Sequence, residues 1–308
     1  MPVMTSNLAD LRPFPALALV PQVFDGDTAM KQFWMIGALA APVIGLAGAV
    51  GAAPRIDIDH AVARVTVILE PRGDVVAEMV RTNPRFPIRI RNTGEGVDIR
   101  GDLDMISPDC RARDGRPYVS VWLRGGVAYD DMPQVVVRAP MSAAVHVGGA
   151  VYGAVGRGET LSLANSGCGD WVVADQTGDL RLDLAGSGDV RAGSAGRVEV
   201  HTSGSSDVAL RAARNGLAAS IAGSGDVDAA AVNGPLRARV TGSGDVRVKD
   251  GSVSDMGADI AGSGNVDFGG TAAKLDARIA GSGDIHVARV TGAVFRRVVG
   301  SGDVTVGR

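Results

Sequence analysis

Rings are scarce in this chain: aromatic residues make up 4% of its 308 positions. A protein that recognises sugars or bases by stacking presents exposed rings. From residue 161 onward only Trp171, Phe268 and Phe295 are available. Cysteine is nearly absent, with Cys110 and Cys168 alone. No CxxC and no Cys/His spacing exists, which argues against a zinc site. Charge of one sign is missing too: 31 Lys and Arg stand against 34 Asp and Glu, for a net charge of -3. That balance offers nothing to a phosphate backbone, so nucleic acid is not an expected partner. Glycine, by contrast, numbers 43, and hydrophobic residues reach 45%. Few rings with many glycines and aliphatics point to thin, regular layers of Val, Leu, Ile and Ala.

One apolar stretch stands out near the start. "MKQFWMIGALAAPVIGLAGAVGAAP" covers 30–54, with Lys31 leading an uncharged run from Phe33 to Pro54 that ends in small residues. This is the layout of a secretory signal peptide over 30–53. A membrane anchor is the competing reading, since about 20 apolar residues span a bilayer. Four glycines, an internal proline and an Ala-rich end favour cleavage. Residues 1–29 are then read as an over-extended start, with Met30 as the true one. The expected location is the periplasm or the cell surface.

The rest of the chain repeats itself. "AGSGDV" at 185–190 returns at 222–227, with "TGSGDV" at 241–246, "AGSGDI" at 280–285 and "VGSGDV" at 299–304. The closing residues of the phrase are Asp170, Asp189, Asp207, Asp226, Asp245, Asn265, Asp284 and Asp303, at steps of 19, 18, 19, 19, 20, 19 and 19. So steady a period marks a solenoid. The residue after each mark is apolar, as are those three after, five before and nine before, with few exceptions such as Asn165 and Thr202. Polar residues alternate between them, which is strand geometry. Each unit reads as strand, Gly-Ser-Gly-Asp corner, short strand and second loose corner. A single unit cannot bury its apolar face alone, so units stack. The expected fold is all-β, a parallel β-solenoid of about 19 residues per coil, right-handed by the usual crossover preference.

The phrase itself has two readings. Gly186, Gly188, Gly223, Gly225, Gly242, Gly244, Gly281, Gly283, Gly300 and Gly302 mark structural corners, because glycine takes backbone angles closed to other residues. Asp there bonds nearby backbone. The sharper reading is a calcium ladder of Asp189, Asp207, Asp226, Asp245, Asp284 and Asp303. Each corner offers one carboxylate, whereas Ca²⁺ takes six to eight oxygens, so the corner is preferred and no metal or other cofactor is expected. Cys168 replaces the corner serine in "SGCGD" at 166–170. Cys110 and Cys168 are either bridged, tying the earlier region to the first corner, or two unrelated small core residues.

Residues 54–134 read as an irregular β-rich cap, and 135–308 as the repeat domain. Coils reading "LAGSGDV", "IAGSGDV", "VTGSGDV" and "IAGSGDI" after an irregular β start resemble the bacterial head GIN domain proteins, labelled putative autotransporter adhesins. The resemblance covers 135–308 well and 55–134 loosely. It implies a β-helical envelope protein and brings no catalytic residues.

For an enzyme, a constellation is needed. His60, His146, His201 and His286 suggest none; His201 and His286 fall in outward columns of different coils. Asp228 and Asp267 share an outward column with Arg247 between them, which looks like charge balancing. The reading is therefore an exported, non-catalytic solenoid, adhesin-like or structural, that meets a surface or envelope ligand of protein or polysaccharide. A polysaccharide-binding or polysaccharide-degrading β-helix is the alternative. Val304 and Val306 hold inward columns in the last coil, so self-association through the C-terminal coil is also expected.

Overall fold

The computed structural model describes residues 53–93, 96–103, 108–113 and 115–307. The expected over-extended start, and the expected leader up to residue 52, lie outside the described residues. The described part is a parallel β-solenoid, with each inward column stacked on itself. Leu161, Leu180, Val198, Leu217, Leu236, Met256, Leu275 and Val294 face one another from coil to coil. A second wall stacks Trp171, Val190, Val208, Val227, Val246, Val266, Ile285 and Val304. All but Val294 are buried. Burying one such side chain is worth about 1.5–3 kcal/mol, so the repeated columns supply the cohesion that a core poor in rings otherwise lacks.

The loose corner is more regular than the sequence predicts. In two coils it disappears into continuous strands, Val227–Gly242 and Val246–Gly262. Val232 and Asn233 stay paired with Gly251 and Ser252 through the bend. Gly234 (φ +91°) and Gly251 (φ +141°) turn the chain, and the pairing shifts register beside each, between Gly234 and Leu236 and between Val248 and Ser252.

Parallel stacking reaches back before the repeat phrase. The strand Arg55–Leu69 lies on Ser142–Val155, pairing Ile56 with Val145 and Val65 with Gly153. Gly96–Arg100 and Gln134–Ala139 form the next rung out. Antiparallel strands Arg89–Thr93 and Val76–Arg81 then cover those two, which occupies the edge that an open stack would expose.

A separate antiparallel sheet of Asp109–Arg113, Arg116–Val121 and Gly125–Ala128 sits beside the first coils. Its buried Val119, Val121 and Val127 join Val62, Phe86, Ala150 and Tyr152 in a second small core. Tyr129 meets Tyr152 edge-on at 5.7 Å, and the Arg64 guanidinium lies 4.8 Å over Tyr129. Burial pushes the Tyr152 hydroxyl up to about 12. The short 3-10 turn Tyr129–Asp131 is the one helical element among the described residues. No described helix is long and apolar enough to cross a membrane.

Candidate functional site

The repeated corner is where neighbouring coils come closest. Gly242 has φ +129°, and a Cβ there would lie 2.3 Å from the Gly223 carbonyl oxygen. On Gly244 it would lie 2.1 Å from the Gly225 oxygen. Backbone packs on backbone, so both positions need glycine.

The corner aspartates link the coils through their side chains. Oδ1 of Asp170 accepts the Asp189 N–H at 3.0 Å, and Asp189 accepts that of Asp207 at 3.0 Å. The same bond runs from Asp226 to Asp207 at 2.9 Å and from Asp245 to Asp226 at 2.8 Å. Asn265 donates to Asp245 at 2.7 Å, then accepts from Asp284 at 3.0 Å; Asp303 donates to Asp284 at 2.8 Å. Each following residue returns a bond, as when the Trp171 N–H donates to the Asp189 carbonyl at 2.8 Å.

Six of these aspartates are the residues of the calcium reading. Arg247 takes Asp226 Oδ2 at 2.9 Å and also bonds Asp245, with Asp228 at 3.9 Å. Burial, together with the like charge of neighbouring aspartates, raises the pKa of Asp189 and of Asp207; the next coil's backbone N–H opposes it. Burial likewise raises Asp228, against the pull of Arg247. Among the described residues, no group of three or more His, Cys, Asp or Glu side chains is placed to hold a metal ion.

Cys110 and Cys168 are joined, with Cα atoms 5.8 Å apart. The bond fastens the antiparallel side sheet to the first Gly-x-Gly-Asp corner.

Beside the corners runs a groove that the sequence columns hold but do not advertise. Its floor is the residue just before each first glycine: Ser166, Ala185, Ser203, Ala222, Thr241, Ala261 and Ala280. Small side chains between a longer-chain column and the corner ridge leave a trough. One stretch has a volume of about 570 Å³ and the next about 480 Å³, and the two share Arg239 and Thr241. The wall is the outward column two residues earlier, which includes His146, Asp183, His201, Arg239, Asp259 and Arg278. No ring other than the two imidazoles lines either stretch.

The wall changes sign along the solenoid. His146 Nδ1 faces Asp57 at 3.2 Å, and His201 Nε2 faces Glu199 at 2.9 Å. Arg181 joins Glu199 to Asp183 at 2.6 and 2.7 Å. Further along, Arg278 pairs with Asp259 at 3.2 Å and Asp276 at 2.6 Å, with Arg239 3.8 Å from Asp259. The structure thus brings His146 and His201 to one face, while His60 sits at a bend of the first strand and His286 in an outward column. The serines beside the histidines turn to backbone: Ser166 donates to the Val147 carbonyl at 3.0 Å and Ser203 to that of Leu184 at 3.5 Å. This surface can hold a ligand lying across several coils, through hydrogen bonds and charge rather than stacking.

Residues 134–232 and 217–307 each match the family model described as "Putative auto-transporter adhesin, head GIN domain". No curated protein matches the chain. Among solved structures, similarity extends to "a putative adhesin" from Bacteroides fragilis, at 13% identity over 82% of this chain and 92% of that one, with TM-score 0.40. A "Putative lipid binding protein" from Parabacteroides distasonis shows 14% identity over 83% and 94%, with TM-score 0.42. A "putative cell adhesion protein" from Clostridium sporogenes shows 7% identity over 82% and 92%, with TM-score 0.22.

Proposed function

Because the chain belongs to the family described as "Putative auto-transporter adhesin, head GIN domain", we propose that it is an exported, non-catalytic β-solenoid of the cell envelope that holds an extended external ligand along the lateral groove. The observation that carries this reading is the floor of small residues from Ser166 to Ala280, unbroken across successive coils and bordered by a charged wall. A polymer repeats along its length as the groove does. Protein and polysaccharide both fit a surface that bonds rather than stacks. Export is supported by Lys31 and the apolar run from Phe33 to Pro54. Copies of the chain also associate, in this reading, through the strand Val294–Gly300.

The test fills the groove. Ala222→Trp puts an indole where the floor has a methyl group, on an outward position that leaves the core intact. Wild type and variant are screened on a panel of polysaccharides and extracellular proteins, beside fractionation and surface protease shaving of cells. At least a tenfold loss of binding in a variant with unchanged thermal unfolding is expected. Binding that ignores the substitution would refute the groove. New reducing or unsaturated ends released by the wild type would replace this reading with the polysaccharide-degrading one.

A further inference from the structure

The side sheet ends in a two-residue apolar tip. Val121 pairs with Gly125, and the Arg124 N–H donates to the Val121 carbonyl at 3.1 Å, which closes a tight turn over Trp122 and Leu123. Trp122 is 78% exposed and Leu123 84% exposed, the two highest values among the large hydrophobic residues described. Leu123 also has φ +66°, a left-handed conformation that suits glycine and strains a branched side chain. Folding does not require a leucine there: its side chain faces solvent, and glycine would relieve the strain. Behind the tip the sheet is firm. Val119, Val121 and Val127 are buried, and Cys110 on the neighbouring strand is bonded to the solenoid.

We propose that Trp122 and Leu123 form a membrane-contact site that inserts into the interface of a lipid bilayer with anionic headgroups. Size argues against a protein partner as the main occupant. A large aromatic buries about 150–250 Å², so the pair presents on the order of 350 Å², well short of the roughly 800 Å² per partner of a stable protein interface. Trp is the residue that settles at the level of lipid headgroups, with its ring in apolar surroundings and its N–H in water. Charge agrees. Residues 81–124 carry nine arginines against six acidic residues, in a chain whose net charge is -3. A Cβ placed on Gly125 would lie 3.8 Å from Nη1 of Arg85, so one of these guanidinium groups stands at the tip itself. Arg124 in the turn is paired with Asp102 at 2.5 Å, whereas Arg85 has no ion pair among the described residues. A rigid apolar spike with such a guanidinium beside it is an arrangement that holds a peripheral protein on an acidic membrane. Bound this way, the solenoid would be attached at the side sheet, leaving the lateral groove for another ligand.

The chain's three tryptophans make the test specific. Trp171 is fully buried, and Trp34 is removed by Trp34→Phe in the full chain. The protein is mixed with vesicles of phosphatidylcholine containing phosphatidylglycerol, with and without bromine on the acyl chains. Because the apolar run at 33–53 can itself bring the chain to vesicles, the readout is quenching of Trp122 by bromine rather than sedimentation. Quenching and a blue shift are expected, both lost on adding Trp122→Phe and weakened at least fivefold by Arg85→Gln or by pure phosphatidylcholine. Leu123→Gly should raise the melting temperature yet cut quenching at least fivefold, which separates a binding role from a structural one. An unquenched Trp122 on vesicles that carry the protein, no vesicle binding at all, or quenching unchanged in Leu123→Gly would each overturn the proposal; the first two outcomes would point to a protein or sugar as what the tip meets.

Discussion

Asp189 shows what one letter of the repeat does. Its carboxylate accepts the Asp207 N–H, while its own backbone bonds the coil before it. Charge is not needed for this, as Asn265 keeps the same bond with a neutral carbonyl. Burial raises the Asp189 pKa, and the charge on Asp170 adds to it. A carboxyl whose folded pKa stands above its unfolded value binds its proton more tightly in the folded state. Ionising it therefore costs stability. The cost is complete above the folded pKa and is lifted as pH falls through that value toward the ordinary carboxylate range near 3.9. Asp189→Asn should consequently melt higher than the wild type at pH 7, with the advantage shrinking as the pH is lowered. Asp189→Ala leaves the Asp207 N–H without its acceptor, a loss of about 1–3 kcal/mol that is partly offset at pH 7 by removal of the same charge and is felt in full as the wild-type carboxyl becomes protonated. Calorimetry from pH 7 to pH 4 checks both; a melting difference for Asp189→Asn that grows on acidification would contradict the assignment.

At the scale of the element, the repeat was readable because each coil obeys one rule. The period of about 19 residues placed Asn165 and Thr202 in an inward column despite their polarity, and both are buried. Other elements left weaker traces. The strand Arg55–Leu69 stacks as a coil without the Gly-Ser-Gly-Asp phrase, and makes its bend with His60 at φ +53°, opposite the irregular pairing at Gly149. The groove floor was written plainly in the letter before each glycine. Ala, Ser and Thr there look like ordinary turn flanks until the coils are stacked. The side sheet was hidden because its strands pair with each other antiparallel and share no period with the rest. Its hold on the solenoid is the second small core together with Cys110–Cys168. Closing a loop of 58 residues is worth about 4 kcal/mol by chain entropy. The paired variant Cys110→Ser/Cys168→Ser should lower stability by up to about that amount, and hydrogen exchange should show where. Amides of 109–128 should lose protection while those from Leu180 onward keep theirs; loss spread evenly over the repeat would mean that the bridge supports the stack itself.

At the scale of the whole molecule, stacked coils behave as a one-dimensional array in which each unit is stabilised by its neighbours. Most coils are paired on both sides. The strand Val294–Gly300 pairs with Leu275–Gly281 and, among the described residues, with nothing else. Apolar exposure gathers on it: Phe295 is 57% exposed, Val298 40% and Val299 62%. An unpaired parallel edge with such side chains is a template for another strand, and the strand of a second copy has the matching alternation. Lys274, 5.7 Å from the Phe295 ring, and the adjacent Arg296 and Arg297 work against close approach. Association is therefore expected to be weak and to strengthen with salt, as screening removes the repulsion between these cations. Light scattering from low to high micromolar protein should show mass rising with concentration, more steeply at 0.5 M than at 0.05 M salt. Val298→Glu/Val299→Glu should hold the protein monomeric while leaving the stacked columns up to Ile285 intact. A wild type that stays monomeric at both salt levels, or a folded double variant that associates unchanged, would remove this strand as the contact.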